Sequence, residues 1–146
     1  MTCAARRIIA AATITAAGLL VIAASAATQT ESFTAVFSDR PCGARLCGDG
    51  VIDPYGRVTT ITVFSRRTPG PEPGCHTYKG TRTATLVKNK RSTLRFAIQG
   101  PLCGAHAWGT FRIVSGTGTF SNASGSGVIW GAPLVVHYYG VMRLDR

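Results

Sequence analysis

Residues 109–128 read GTFRIVSGTGTFSNASGSGV, and the fold is decided by how this stretch is parsed. Thr110, Arg112 and Val114 alternate with Phe111, Ile113 and Ser115, the period of two that marks a strand with two unlike faces. Gly116 and Gly118 break the alternation, and glycine is the residue that accepts a tight bend or a close backbone approach. Phe120 then stands as a lone apolar anchor on a second short strand. Asn122-Ala123-Ser124-Gly125-Ser126-Gly127 turns the chain again towards a third strand at Val128. The parse is strand, turn, short strand, turn, strand.

The same grammar extends in both directions. Phe33 to Phe37 reads as a first strand, followed by a turn-rich loop from Pro41 to Gly50 and a brief pairing at Val51-Ile52. Arg57 to Ser65 is a strand on β-branched density, and Thr68 to Gly74, with three prolines, is expected to be an exposed loop. Thr81–Val87 and Ser92–Gln99 form a hairpin about Lys88-Asn89-Lys90-Arg91. Ala105–Ser115 is a strand stepped at Gly109, Val128–Trp130 a short one, and Val135–Leu144 a long closing one. No segment after residue 28 sustains a helical period over three turns. Short strands at regular spacing predict an all-β fold, and closure removes exposed edges, so the expectation is an eight-stranded antiparallel up-and-down barrel. Its interior is assigned to Leu94, Phe96, Ile98, Phe111, Ile113, Phe120, Met142 and Leu144. Alternation turns Tyr138 inward as well, with His137 and Tyr139 outward.

Residues 1–27 read as a secretory signal: Arg6-Arg7, an apolar run from Ile8 to Ala24, and an Ala24-Ser25-Ala26 cleavage pattern that places processing near Ala26-Ala27. The remainder, 28–146, is the size of one domain with one core. Of the five cysteines, Cys3 leaves with the signal. Four cysteines in an oxidising compartment read as two disulfides. Paired positions of the hairpin sum to about 179 by its turn, and 75 and 103 sum to nearly that, so Cys75–Cys103 is expected and Cys42–Cys47 closes a short loop. On loop entropy the long ring is worth ~3.6 kcal/mol and the short one ~2 kcal/mol. Zinc spacings are not matched by Cys75-His76 with Cys103 and His106, so no metal is expected.

The net charge is +10, and no acidic residue falls between Glu72 and Asp145. Lys79, Arg82, Lys88, Lys90, Arg91, Arg95, Arg112 and Arg143 lie in that gap, as a solvated basic face or as one that meets anionic cell-surface polymer or lipid. No nucleic-acid recognition motif accompanies them.

The segment Gly116-Thr117-Gly118-Thr119-Phe120-Ser121-Asn122-Ala123-Ser124-Gly125 resembles the G-T-G-x-F-x-x-A-x-G signature of allene oxide cyclase and dirigent proteins, and of secreted bacterial proteins of that barrel class. The resemblance covers about twenty residues closely; it implies an antiparallel eight-stranded barrel with a central apolar cavity, and carries no catalytic residue across. No nucleophile elbow, regular calcium loop or phosphate-cradling helix start is found. Asp39, Asp49 and Asp53 read as ordinary turn residues of the N-terminal loops. The sequence therefore specifies a secreted, disulfide-stapled barrel with no catalytic set and no cofactor, acting as a binder of a small apolar ligand or as a structural module. Its cavity candidates are Leu94, Phe96, Ile98, Phe111, Ile113, Phe120, Tyr138 and Met142. Two alternatives accompany it, a cyclase or isomerase confining a hydrophobic substrate and adhesion through the basic face.

Overall fold

A computed structural model describes residues 28–70 and 72–145; the signal segment expected over 1–27 lies outside them. Eight antiparallel strands close into a barrel in strict chain order: β1 (Thr28–Cys42), β2 (Arg45–Asp53), β3 (Gly56–Pro69), β4 (Cys75–Leu86), β5 (Thr93–Cys103), β6 (His106–Gly116), β7 (Ser124–Ala132) and β8 (Val135–Asp145). The last strand pairs with the first, from Thr28↔Asp145 to Ser38↔Val135, so every strand has two neighbours.

The strands are longer than their sequence signals. β1 and β2 run through the stretch expected as a loop, and only Gly43-Ala44 turns between them. β3 likewise continues to Pro69, into the proline-rich segment. β6 is unbroken at Gly109, where a Cβ would run into the backbone of Gly100 and Gln99. Turn-forming residues stay extended here because a neighbouring strand pairs with them, β2 with Asp39–Cys42 and β4 with Arg66–Pro69. Between β6 and β7 the expected short strand is instead one 3₁₀ turn, Gly118–Phe120, and β7 already begins at Ser124.

The hairpin register matches the arithmetic of its turn. Thr85↔Thr93 through Cys75↔Cys103 pair without a slip. Disulfides join Cys75 to Cys103 and Cys42 to Cys47, with Cα–Cα separations of 4.1 and 5.7 Å.

Period-2 burial fills the interior. Phe33, Phe37, Phe96, Phe111 and Tyr138 form a mid-barrel aromatic cluster, with ring centroids 4.9 Å apart for Phe37–Tyr138 and 5.0 Å for Phe111–Tyr138. At one end Val58, Leu86, Leu94, Met142 and Leu144 complete the packing. Phe120 caps that end, fully buried and edge-on to Tyr55 at 4.8 Å. Gly118, at φ +58°, makes the cap possible, because a side chain there would be strained and would strike Ser92. The buried Ser92 hydroxyl accepts from Thr119 N–H (2.9 Å), and the Thr117 hydroxyl donates to the Arg91 carbonyl (2.6 Å). The glycine signature is thus an end-plug, bolted to the β4–β5 turn.

Candidate functional site

The other end of the barrel is built differently. Along β1, the inward series Phe33, Ala35, Phe37 continues to Asp39, which is only 8 % exposed. Asp39 is therefore a wall residue of the interior and not a turn residue; the strand does not stop at Phe37, so its alternation carries the carboxylate inward. On β4 the same alternation places Arg82 in line with Ala84 and Leu86, 3 % exposed. Arg82 is thus removed from the basic face to which its charge assigned it. Lys79, Lys88, Lys90, Arg91, Arg95, Arg112 and Arg143 remain exposed.

The two charges meet across the barrel. Arg82 Nη2 donates to Asp39 Oδ2, and Arg82 Nε donates to the Thr62 hydroxyl at 2.8 Å. The Thr60 hydroxyl reaches the other carboxylate oxygen at 3.5 Å. The guanidinium lies over the rings of Phe37 (4.7 Å to the centroid) and Tyr138 (5.4 Å), a cation–π arrangement strengthened by burial. Room for the carboxylate comes from Gly48, which sits between Asp39 and Thr60 in the sheet. A Cβ there would lie 2.8 Å from Asp39 Oδ1 and 2.9 Å from Thr60 Oγ1.

One group in this network is left over. Arg82 Nη1 is buried and makes no hydrogen bond. A buried donor without an acceptor costs the full desolvation of the group, and such orphans are rare.

Beside the ion pair lies a cavity of about 210 Å³. Asp39, Thr62, Tyr78, Arg82 and Tyr138 form its polar floor, and Ile98, Ile129 and Val136 its apolar walls. Leu134 and Phe64, both partly exposed, stand at the mouth with Arg67. The Tyr78 hydroxyl donates to the Trp108 carbonyl at 3.4 Å. Burial pushes the Tyr138 phenol well above its ordinary range and raises Tyr78 as well, so both stay protonated donors at neutral pH. Burial also raises the Asp39 carboxyl, with Arg82 and Thr60 pulling part of the way back.

Of the sequence-nominated cavity residues, Ile98 and Tyr138 line this space. Leu94, Phe96, Phe111, Ile113, Phe120 and Met142 are buried in the packed core and do not line it. His137 and Tyr139 face outward, with Tyr139 46 % exposed. Among the described residues no three His, Cys, Asp or Glu side chains converge as a metal site. Sequence reasoning missed Asp39, Arg82, Thr62 and Tyr78. Continuing the alternation Phe33-Ala35-Phe37 by one step, and Leu86-Ala84 by one, would have found the two charges.

No protein-family model matches the chain, and no curated protein matches it in sequence. Among solved structures it is similar to that of a pterocarpan synthase dirigent protein, 14 % identical over 94 % of this chain and 98 % of the other, with a TM-score of 0.44. The barrel described above stands on its own closed register.

Proposed function

We propose that this protein is an exported, disulfide-stapled barrel that binds a small apolar molecule in the cavity beside Asp39 and Arg82. The observation that carries the reading is the contrast in packing: one end of the interior is filled, while the other keeps about 210 Å³ behind an open mouth of Leu134 and Phe64. Two disulfides support an oxidising destination, and the leader pattern of residues 1–27 agrees with it. A dry cavity of about 150 Å³ accepts a benzene ring, so the scale suits a single ring with a short substituent. A hydrophobic fluorescent probe should bind the purified protein and be displaced by such molecules. Leu134→Trp, at the exposed mouth, should abolish the signal while leaving the unfolding midpoint nearly unchanged. An undisplaceable signal, or one indifferent to Leu134→Trp, removes the reading.

Buried Asp39, Arg82 and Tyr138 favour a second reading, an isomerase or cyclase acting on a confined substrate, because polar groups do face the cavity. Mass spectrometry of released ligand separates the two: binding returns it unchanged, catalysis returns a rearranged product. The exposed lysines and arginines support an additional contact with anionic cell-surface polymer or lipid. Such a contact weakens steeply with added salt.

A further inference from the structure

The donor inventory of Arg82 says more about the occupant than the size of the cavity does. A guanidinium has five N–H donors and no acceptor. Nε is used by Thr62 and Nη2 by Asp39, while Nη1 is buried without a partner on a side chain that lines the cavity. An occupant presenting an acceptor oxygen, met by a small turn of the guanidinium towards the cavity, would satisfy a charged donor that the protein leaves unmet. Hydrogen bonds to charged groups are the stronger class.

The charge count limits what may carry that oxygen. Asp39 already neutralises Arg82, so the floor of the cavity has no net charge to offer. A ligand carboxylate would sit near the Asp39 carboxylate and would lose its hydration without gaining an unpaired counter-charge. Tyr78 and Tyr138 remain protonated and neutral. Among the described residues that line the cavity, the other cation is Arg67 at the exposed mouth, where solvent screens it. The walls, Ile98, Ile129 and Val136, admit only hydrocarbon. Resting on the binding reading above, we propose that the cavity selects an uncharged, compact apolar molecule bearing one carbonyl- or ether-type oxygen, which accepts a hydrogen bond from Arg82 Nη1.

Three probes of nearly one shape separate the possibilities: acetophenone (neutral, with a carbonyl), α-methylstyrene (the same outline without oxygen) and benzoate (the anion). Affinities are measured by NMR titration of the folded, oxidised protein at pH 7. Acetophenone is expected to bind about ten-fold more tightly than α-methylstyrene, the scale of one hydrogen bond to a charged donor. Benzoate is expected to bind more weakly than acetophenone. The Arg82 Nη1 resonance should shift with acetophenone and stay still with α-methylstyrene. Equal affinity for acetophenone and α-methylstyrene, or an unmoved Nη1 signal, overturns the proposal while leaving the cavity a binding site. Tightest binding by benzoate overturns it in favour of an anion site. Failure of all three to bind removes the binding reading itself, and this inference with it. The double variant Asp39→Leu/Arg82→Met, which replaces the pair with apolar groups, should lose the ten-fold preference; retention of that preference places the oxygen elsewhere and also overturns the proposal.

Discussion

The two ends of this barrel solve the same problem in opposite ways. Each has to close a cylinder of strands against water. At one end a plug does so: the 3₁₀ turn Gly118–Phe120 drops Phe120 onto Tyr55 above Leu86, Leu94, Met142 and Leu144, and hydroxyls of Ser92 and Thr117 tie it to the neighbouring turn. At the other end no plug is found among the described residues. The interior finishes in a buried ion pair and a cavity, and both disulfides, Cys42–Cys47 and Cys75–Cys103, lie on the hairpin ends beyond it. Covalent staples hold the end that hydrophobic packing leaves unfilled. The comparison teaches where packing and open space separate: one end is core, the other keeps the cavity in which we propose that a ligand binds.

The largest effects should come from single truncations, and the ends should respond differently. Phe120→Ala opens the plug and should cost about 3–5 kcal/mol of stability without altering ligand affinity. Asp39→Leu takes away the acceptor that holds Arg82 Nη2, leaves the buried guanidinium uncompensated and should also cost about 3–5 kcal/mol, but with affinity changed as well. Replacing both charges together, as in Asp39→Leu/Arg82→Met, should cost far less than the sum of the single changes. Denaturant titration checks all three; additive losses at Asp39 and Arg82 would mean that the pair is not one unit.

A smaller loss is expected from the staples. Converting Cys75 and Cys103 to Ala should lower stability by about 3.6 kcal/mol, and converting Cys42 and Cys47 by about 2 kcal/mol, following the loop lengths. Hydrogen exchange should then rise at the cavity end first and leave the Phe120 end protected. Uniform loosening of the whole barrel would erase the distinction between the ends.

The smallest effect concerns pH. Burial holds the Asp39 carboxyl above the ordinary aspartate value of 3.8. A carboxyl raised in the folded state keeps its proton more tightly than in the unfolded chain. Its contribution to stability is therefore complete below about 3.8 and is lost as pH rises through the folded value. Carboxyl ¹³C titration of Asp39 reads the folded value directly; a midpoint below 3.8 contradicts the dominance of desolvation over the Arg82 charge.

How much of this was legible follows from which interactions are local. The Cys75–Cys103 pair could be counted from the hairpin turn, because antiparallel register propagates without loss from Thr85↔Thr93 to Cys75↔Cys103. The inward set from Leu94 to Leu144 could be read from alternation. The cavity end was harder. Asp39 is followed by Arg40, Pro41, Cys42 and Gly43, a turn-like neighbourhood, and its extended conformation depends on pairing with Gly48 of β2 and on its N–H donating to the Leu134 carbonyl. Its partner Arg82 is 43 residues away and sits among cations that do face solvent. Charge counting along the chain found no acid beside Arg82, because the acid comes from the first strand. The glycine signature, the most recognisable stretch, builds the plug and says nothing of the cavity.

The central claim, a filled end and a cavity end within one barrel, is tested most directly by a methyl ¹H–¹³C spectrum titrated with acetophenone. Shifts are expected at Ile98, Ile129, Leu134 and Val136, with Leu86, Leu94, Met142 and Leu144 unmoved. Shifts centred on the latter group, or spread evenly over both, would contradict it.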